Sequence, residues 1–119
     1  GETKTCTFSL RAFSVSTLVN GWDECAITVP ERASRLEFRL ETETAGAQVA
    51  LFARWNEDVG ISAGRVLADH ASAGRSGNET IAVTAESQPP LRAGRYYPAL
   101  GVFTTGKAVS GKLQVTVVR

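Results

Sequence analysis

The chain has 119 residues, 43% of them hydrophobic and 21% charged, which suits one domain with one core and excludes a disordered or membranous composition. Its 13 basic and 12 acidic residues leave a formal charge of +1, too little to recruit nucleic acid or anionic lipid by electrostatics. No apolar run approaches the ~20 residues that cross a bilayer. Val and Thr supply 24 residues, Ile three and Met none. Side chains branched at Cβ lose rotamers in a helix and fit a pleated surface, so the bias is toward strands.

In chain order, Thr5 to Ser14 alternates, with Cys6, Phe8 and Leu10 on one face and Thr7, Ser9 and Arg11 on the other. Asn20-Gly21 follows, a pair that accepts the positive φ of a tight turn. Trp22, Ala26 and Val29 belong to a second run closed by Pro30. Leu36, Phe38 and Leu40 alternate with Arg35, Glu37, Arg39 and Glu41, the pattern of a half-buried strand. Val49-Ala50-Leu51-Phe52 is apolar on both faces and reads as a central strand. Residues 56–77 are the least periodic and read as a long loop, with a short strand at Val66-Leu67.

Ile81 and Val83 then alternate with Thr80, Ala82 and Thr84, and Pro89-Pro90 breaks the chain. Tyr96 to Phe103 and Lys112 to Val118 complete the set, with Pro98 arguing for an edge or bulged position. These about seven to eight short strands, with turn signals between them, predict an all-β antiparallel sandwich of jelly-roll or immunoglobulin-like form. No helical periodicity competes with that reading. One sandwich over residues 1–119 is expected, excised from or appended to a larger secreted protein, since no signal-peptide pattern opens the chain. In isolation it is expected to be a monomer.

Cys6 and Cys25 are the two cysteines. With no Cys-x-x-Cys or Cys/His cluster, a structural disulfide is favoured over two buried thiols, and it implies an oxidising, extracytoplasmic compartment. In Leu91-Arg92-Ala93-Gly94-Arg95-Tyr96, Gly94 permits a tight turn and Tyr96 can return its hydroxyl to backbone a few residues upstream, the tyrosine corner of a Greek-key crossover.

Two segments, Gly77-Asn78-Glu79-Thr80-Ile81-Ala82-Val83 and Pro90-Leu91-Arg92-Ala93-Gly94-Arg95-Tyr96-Tyr97, together resemble the bacterial pre-peptidase C-terminal domain family. Trp22 through Pro30, Leu36 to Leu40, Val49 to Arg54 and Ser110 to Val117 resemble further strands of that family in the same order, so the resemblance spans about residues 20–118. It implies a non-catalytic jelly-roll-like sandwich attached to secreted bacterial enzymes, removed on maturation, aiding secretion or folding, or binding matrix polymers. Some members bind calcium through acidic residues before the strand that matches Val49–Arg54. Here Ala47, Gln48 and Val49 stand at those positions, without a carboxylate.

No cofactor is expected. Calcium takes roughly six to eight oxygens, and Asp58 and Asp69, on either side of the long loop, are weak candidates without the spacing of a dedicated site. His70 is the only histidine and reads as a surface loop residue. Though Asp69 and Ser72 are near in sequence, no nucleophile motif accompanies it, so no catalytic residue is assigned. Trp22, Trp55, Tyr97 and Phe103 are the candidate aromatics for a flat platform on a polymer, with Trp22 better suited to the core. Trp55 is preferred because it follows Arg54 at a strand end, and Arg54 and Tyr97 complete the candidate ligand-binding set. Arg32, Arg35, Arg39 and Arg54 read as part of a solvated, mixed-charge face.

The expected function is therefore a non-catalytic accessory module of a secreted or surface bacterial protein. It would bind an extracellular polymer, either protein matrix or polysaccharide, or a partner protein, or assist secretion and maturation. An immunoglobulin-like spacer without ligand is the alternative in the same fold class, and a protease inhibitor or small hydrolase the alternative outside it.

Overall fold

The computed structural model describes residues 2–74 and 76–119. It contains eleven strands and one short 3-10 turn: β1 (Glu2–Leu10), β2 (Thr17–Val19), the turn at Asp23–Cys25, β3 (Ile27–Val29), β4 (Arg35–Thr42), β5 (Val49–Trp55), β6 (Gly60–Ser62), β7 (Arg65–Leu67), β8 (His70–Ser72), β9 (Asn78–Val83), β10 (Gly94–Val102) and β11 (Val109–Val118). Every pairing is antiparallel. One sheet has the order β1-β11-β4-β9; the other has β2-β10-β5-β8, with β3 also on β10. Strands β6 and β7 form a separate hairpin.

Strands β2 and β3 lie along the same side of β10, opposite residues 100–102 and 94–96 respectively, so they act as one interrupted edge. With that edge counted once and the β6–β7 hairpin set aside, eight strands remain. Their sheet orders in chain sequence are then first-eighth-third-sixth and second-seventh-fourth-fifth. First pairs with eighth, second with seventh, third with sixth and fourth with fifth, which is one long hairpin folded over on itself. That is the jelly roll. It excludes the immunoglobulin-like arrangement, in which the first two strands share a sheet; here β1 and β2 lie in opposite sheets.

The alternation read from sequence is the alternation of burial. Leu36, Phe38 and Leu40 on β4 and Leu113 and Val115 on β11 are fully buried. They meet Leu51, Ala53, Tyr96 and Leu100 of the facing sheet in one core. Burying a Leu or Phe side chain contributes about 2–3 kcal/mol, so these inward rows hold the two layers together. On the outer face of β4, Glu37 pairs with Arg35 at 2.8 Å and Arg39 at 3.1 Å, while Glu41 faces Lys112 at 3.6 Å. Arg35 beside Glu37 holds its carboxyl below the usual range, against a smaller opposing effect of burial and with help from Arg39. Arg54 is not on this face; it belongs to the other sheet, and Arg32 occupies a turn at φ 72°.

Three features differ from the sequence expectation. Residues 56–77 are not one loop, because the β6–β7 hairpin and β8 are built from them. The additional strands β2, β6 and β8 have three residues each, too few to display a period of two. Pro98 is on an interior strand, opposite Ala53 of β5, but on its other side it falls in the gap between β2 and β3. A residue without an amide donor therefore sits where the ladder is already interrupted.

Cys6 and Cys25 form a disulfide, their Cα atoms 6.0 Å apart. It ties β1 of one sheet to the 3-10 turn that joins β2 and β3 of the other. Among the described residues no helix is long and apolar enough to cross a membrane.

Candidate functional site

The preferred aromatic, Trp55, ends β5 opposite the buried Tyr96. Its indole Nε1 donates to the Ala93 carbonyl at 3.0 Å, and its backbone N–H donates to Asp69 Oδ2 at 2.8 Å. The Arg92 guanidinium stacks on the ring, 3.6 Å from its centroid. Gly94 packs at the edge of the indole, so closely that a methyl group there would lie 2.6 Å from Nε1. Trp55 is thus part of a clasp on residues 91–96 rather than a bare platform.

The same clasp contains the tyrosine corner. The Arg92 backbone N–H donates to the Tyr96 hydroxyl at 3.2 Å, and Leu91 N–H donates to the Thr84 carbonyl at 2.9 Å. Burial pushes the Tyr96 phenol above its ordinary range, opposed by the Arg92 amide. Gly94 has φ +132°, a conformation that residues with a Cβ rarely adopt.

Strand alternation separates the three candidate ligand-binding residues. Trp55 and Tyr96 are cross-strand partners on the core-facing side, while Arg54 and Tyr97 are partners on the outer side. A single platform of Trp55, Arg54 and Tyr97 is therefore not formed. Arg54 is directed at the turn after β5, with Nη1 on the Asp58 carbonyl at 3.2 Å and Nη2 on Glu57 at 3.2 Å. Arg95 lies 5.8 Å from the Tyr97 ring centroid.

Following the outer face from Arg54 and Tyr97 leads to an apolar strip. The cross-strand rows are Phe52 with Ala99 and Ala50 with Gly101; beyond these, Leu18 stands opposite Gly101 and Ala71 opposite Phe52. Ala50 and Ala99 are fully buried although they face away from the core, which agrees with the reading of Val49–Phe52 as apolar on both sides. The Phe52 ring lies close across Gly101, where a methyl group would come within 2.9 Å of it.

Between this strip and the β6–β7 hairpin runs a groove of about 250 Å³, lined by Leu18, Phe52, Ile61, Val66, Gly101 and Phe103 among others, none of them charged. Ile61 is 60% exposed and Phe103 49%. Phe103 was among the aromatics singled out by type. Ile61 and Phe52 were not, because neither carries a local signal that the hairpin returns over the sheet.

The weak metal candidates are not gathered. Asp69 Oδ2 is engaged by the Trp55 amide, and Asp58 occupies the turn after β5, near Gly21. Among the described residues no group of three His, Cys, Asp or Glu side chains is placed to hold a metal ion. His70 is not on a loop. It lies on β8, half-buried, opposite the core residue Ala53, and burial pushes its pKa below the ordinary value while Asp69 pulls it back. The neighbouring inward residue Ser72 donates its hydroxyl to Glu79 Oε1 at 2.6 Å, and the Gly74 amide donates to the same oxygen at 2.9 Å. Glu79, only 6% exposed, thereby staples the edge of one sheet to the edge of the other. Its inward direction is implicit in its parity with Ile81 and Val83.

No protein-family model matches this chain, and no curated protein matches it in sequence.

Proposed function

We propose that the chain is a non-catalytic accessory module of the pre-peptidase C-terminal type, carried by a secreted or surface bacterial protein, and that it holds a protein partner through an apolar side chain. The observation that carries this reading is the uncharged groove between the β6–β7 hairpin and Phe52, flanked by exposed Ile61 and Phe103. Large exposed apolar groups beside a concavity are the signature of an interaction site. The lining offers the hydroxyls of a polysaccharide only the side chains of Ser16 and Thr17 among the described residues, and Trp55 at the strand end is capped by Arg92. A protein matrix or partner chain is therefore the better-fitting ligand. The extracytoplasmic location is supported by the Cys6–Cys25 bridge.

The test is retention on insoluble collagen, with cellulose, chitin and peptidoglycan in parallel, comparing the native chain with Ile61→Asp/Phe103→Asp. Retention on collagen alone that the double variant loses by at least about tenfold, with unchanged circular dichroism, is the expected result. Retention on polysaccharide only, or retention that the variant keeps, overturns the groove reading. Retention on none of the four favours a spacer.

A further inference from the structure

The two sheets do not close evenly along their edges. Beyond the Cys6–Cys25 bridge, β1 and β2 diverge and leave a cleft of about 300 Å³ that opens between the layers. Its floor is apolar, made of Phe8, Leu10 and Val19 with the fully buried Leu100 beneath. Phe8 and Leu10 are inward residues of β1 that the core leaves half-covered. Trp22 stands at the rim, edge-on to Phe8 with ring centroids 5.7 Å apart. The indole is fixed there, because Nε1 donates to Glu24 Oε1 at 2.8 Å.

Among the described residues Glu24 is the only charged group on the lining. A second carboxylate stands just outside it: a methyl on Gly21 would lie 3.7 Å from Asp58 Oδ2, and Asp58 Oδ1 is buried with no hydrogen-bond partner among the described residues. Three cations reach into this neighbourhood, but onto backbone carbonyls: Lys4 on Ala26, Arg54 on Asp58 and Arg95 on Asp23. Among the described residues none of them forms an ion pair with Glu24 or Asp58.

We propose that this cleft receives a basic side chain, lysine or arginine, carried on an extended segment of a protein partner. The chemistry of the wall matches that side chain from stem to head. Its methylenes would lie along Phe8, Leu10 and Val19, while its cation meets the Trp22 ring and the Glu24 carboxylate. The strands flanking the cleft supply the rest. Among the described residues β1 is paired only with β11, and β2 only with β10, so each presents a free edge. An extended chain adding to either edge points alternate side chains into the gap. This site is separate from the groove at the β6–β7 hairpin, and its occupancy does not depend on that reading.

The test is a titration of ¹⁵N-labelled chain with the peptide acetyl-Thr-Val-Lys-Val-Thr-amide and with its norleucine counterpart, followed by amide and indole resonances. The lysine peptide is expected to shift the Trp22 indole signal and the amides of residues 7–9 and 19–22 to saturation, leaving the Trp55 indole unmoved. Norleucine in place of lysine weakens binding by at least about tenfold. Glu24→Gln, which retains an acceptor for the Trp22 indole, weakens the lysine peptide to a similar degree with an otherwise unchanged spectrum. Equal binding of the two peptides overturns the proposal, because the cleft would then select apolar bulk. So does a Trp22 signal that stays in place at millimolar lysine peptide, or a Glu24→Gln variant that binds it undiminished.

Discussion

Tyr96→Phe isolates one hydrogen bond in a side chain otherwise unchanged. Tyr96 is 1% exposed, so the ring keeps its full apolar burial in the variant and the packing contribution cancels. What is lost is the bond from the Arg92 amide, 3.2 Å from the hydroxyl. A neutral bond contributes about 1 kcal/mol net, and leaving a donor partly buried without a partner raises the loss toward ~2 kcal/mol. The cost extends no further only if the clasp holds, since the Arg92 stack on Trp55 and the Ala93 carbonyl bond anchor the same turn. For a domain of this size ~1–2 kcal/mol corresponds to a fall of roughly 4–8 °C in the melting midpoint. Calorimetry of the native chain, Tyr96→Phe and Tyr97→Phe is the assay. Tyr97 lies on the outer face, so its variant is expected within about 0.5 kcal/mol of native. An unchanged midpoint for Tyr96→Phe, or an equal fall for both, would refute the corner as a source of stability.

Gly94→Ala is expected to cost more than Tyr96→Phe, about 2–4 kcal/mol in urea denaturation. It combines an alanine at φ +132° with a methyl group 2.6 Å from the Trp55 indole nitrogen; a loss under ~1 kcal/mol would show that the turn rearranges freely. Replacing both cysteines by serine opens a bridge of sequence separation 19, for which the chain-entropy estimate is about 3 kcal/mol. An unaltered denaturation midpoint would remove the bridge from the account of stability. The pH dependence has two windows. Burial pushes the His70 imidazole below its ordinary value of 6.5, so the unfolded chain binds its proton first. Stability is therefore full above pH 6.5 and falls as the pH drops through the lower folded value. Glu37 is held below 4.5 by Arg35, and its contribution is lost only as the pH falls further. Denaturation profiles of His70→Gln should lack the first decline and keep the second; a profile identical to native would refute the assignment.

How much of this was legible follows from how far apart the determining residues lie. Strands β4, β9 and β11 were readable because their own alternation reports which face is buried, and β5 because it is apolar on both faces. Leu36, Phe38 and Leu40 carry that signal without help from any other part of the chain. The Cys6–Cys25 bridge was readable by count, and the corner at Gly94 and Tyr96 by spacing. The jelly-roll pairing was not, because whether β1 joins β2 or β11 depends on side chains a hundred residues distant. The candidate trio is divided between two faces for a local reason. Arg54 and Trp55 are adjacent on a strand, and adjacent side chains point to opposite faces, so proximity in sequence put them on different surfaces. The apolar groove was only half visible, since Phe103 is conspicuous by type but Phe52 and Ile61 become neighbours only when the hairpin folds back.

The topology explains why the unreadable parts are also the parts with exposed chemistry. When one long hairpin is folded into two layers, its paired strands fill the middle of both sheets, and every inward residue there is answered by another. Two places escape that pairing. One is the tip of the hairpin, between β5 and β8, where the chain can extend without disturbing a ladder; β6 and β7 occur there, and with them Ile61 and Val66. The other is the mouth, where the first strand and the interrupted second strand form edges of opposite sheets and leave Phe8, Leu10 and Trp22 half-covered. A disulfide at Cys6 and Cys25 clamps one end of that mouth and the Glu79 staple closes the opposite side of the sandwich, so the cleft is held open beside a braced frame. Binding at the mouth would cover side chains that pack against the core but are left half-covered by it.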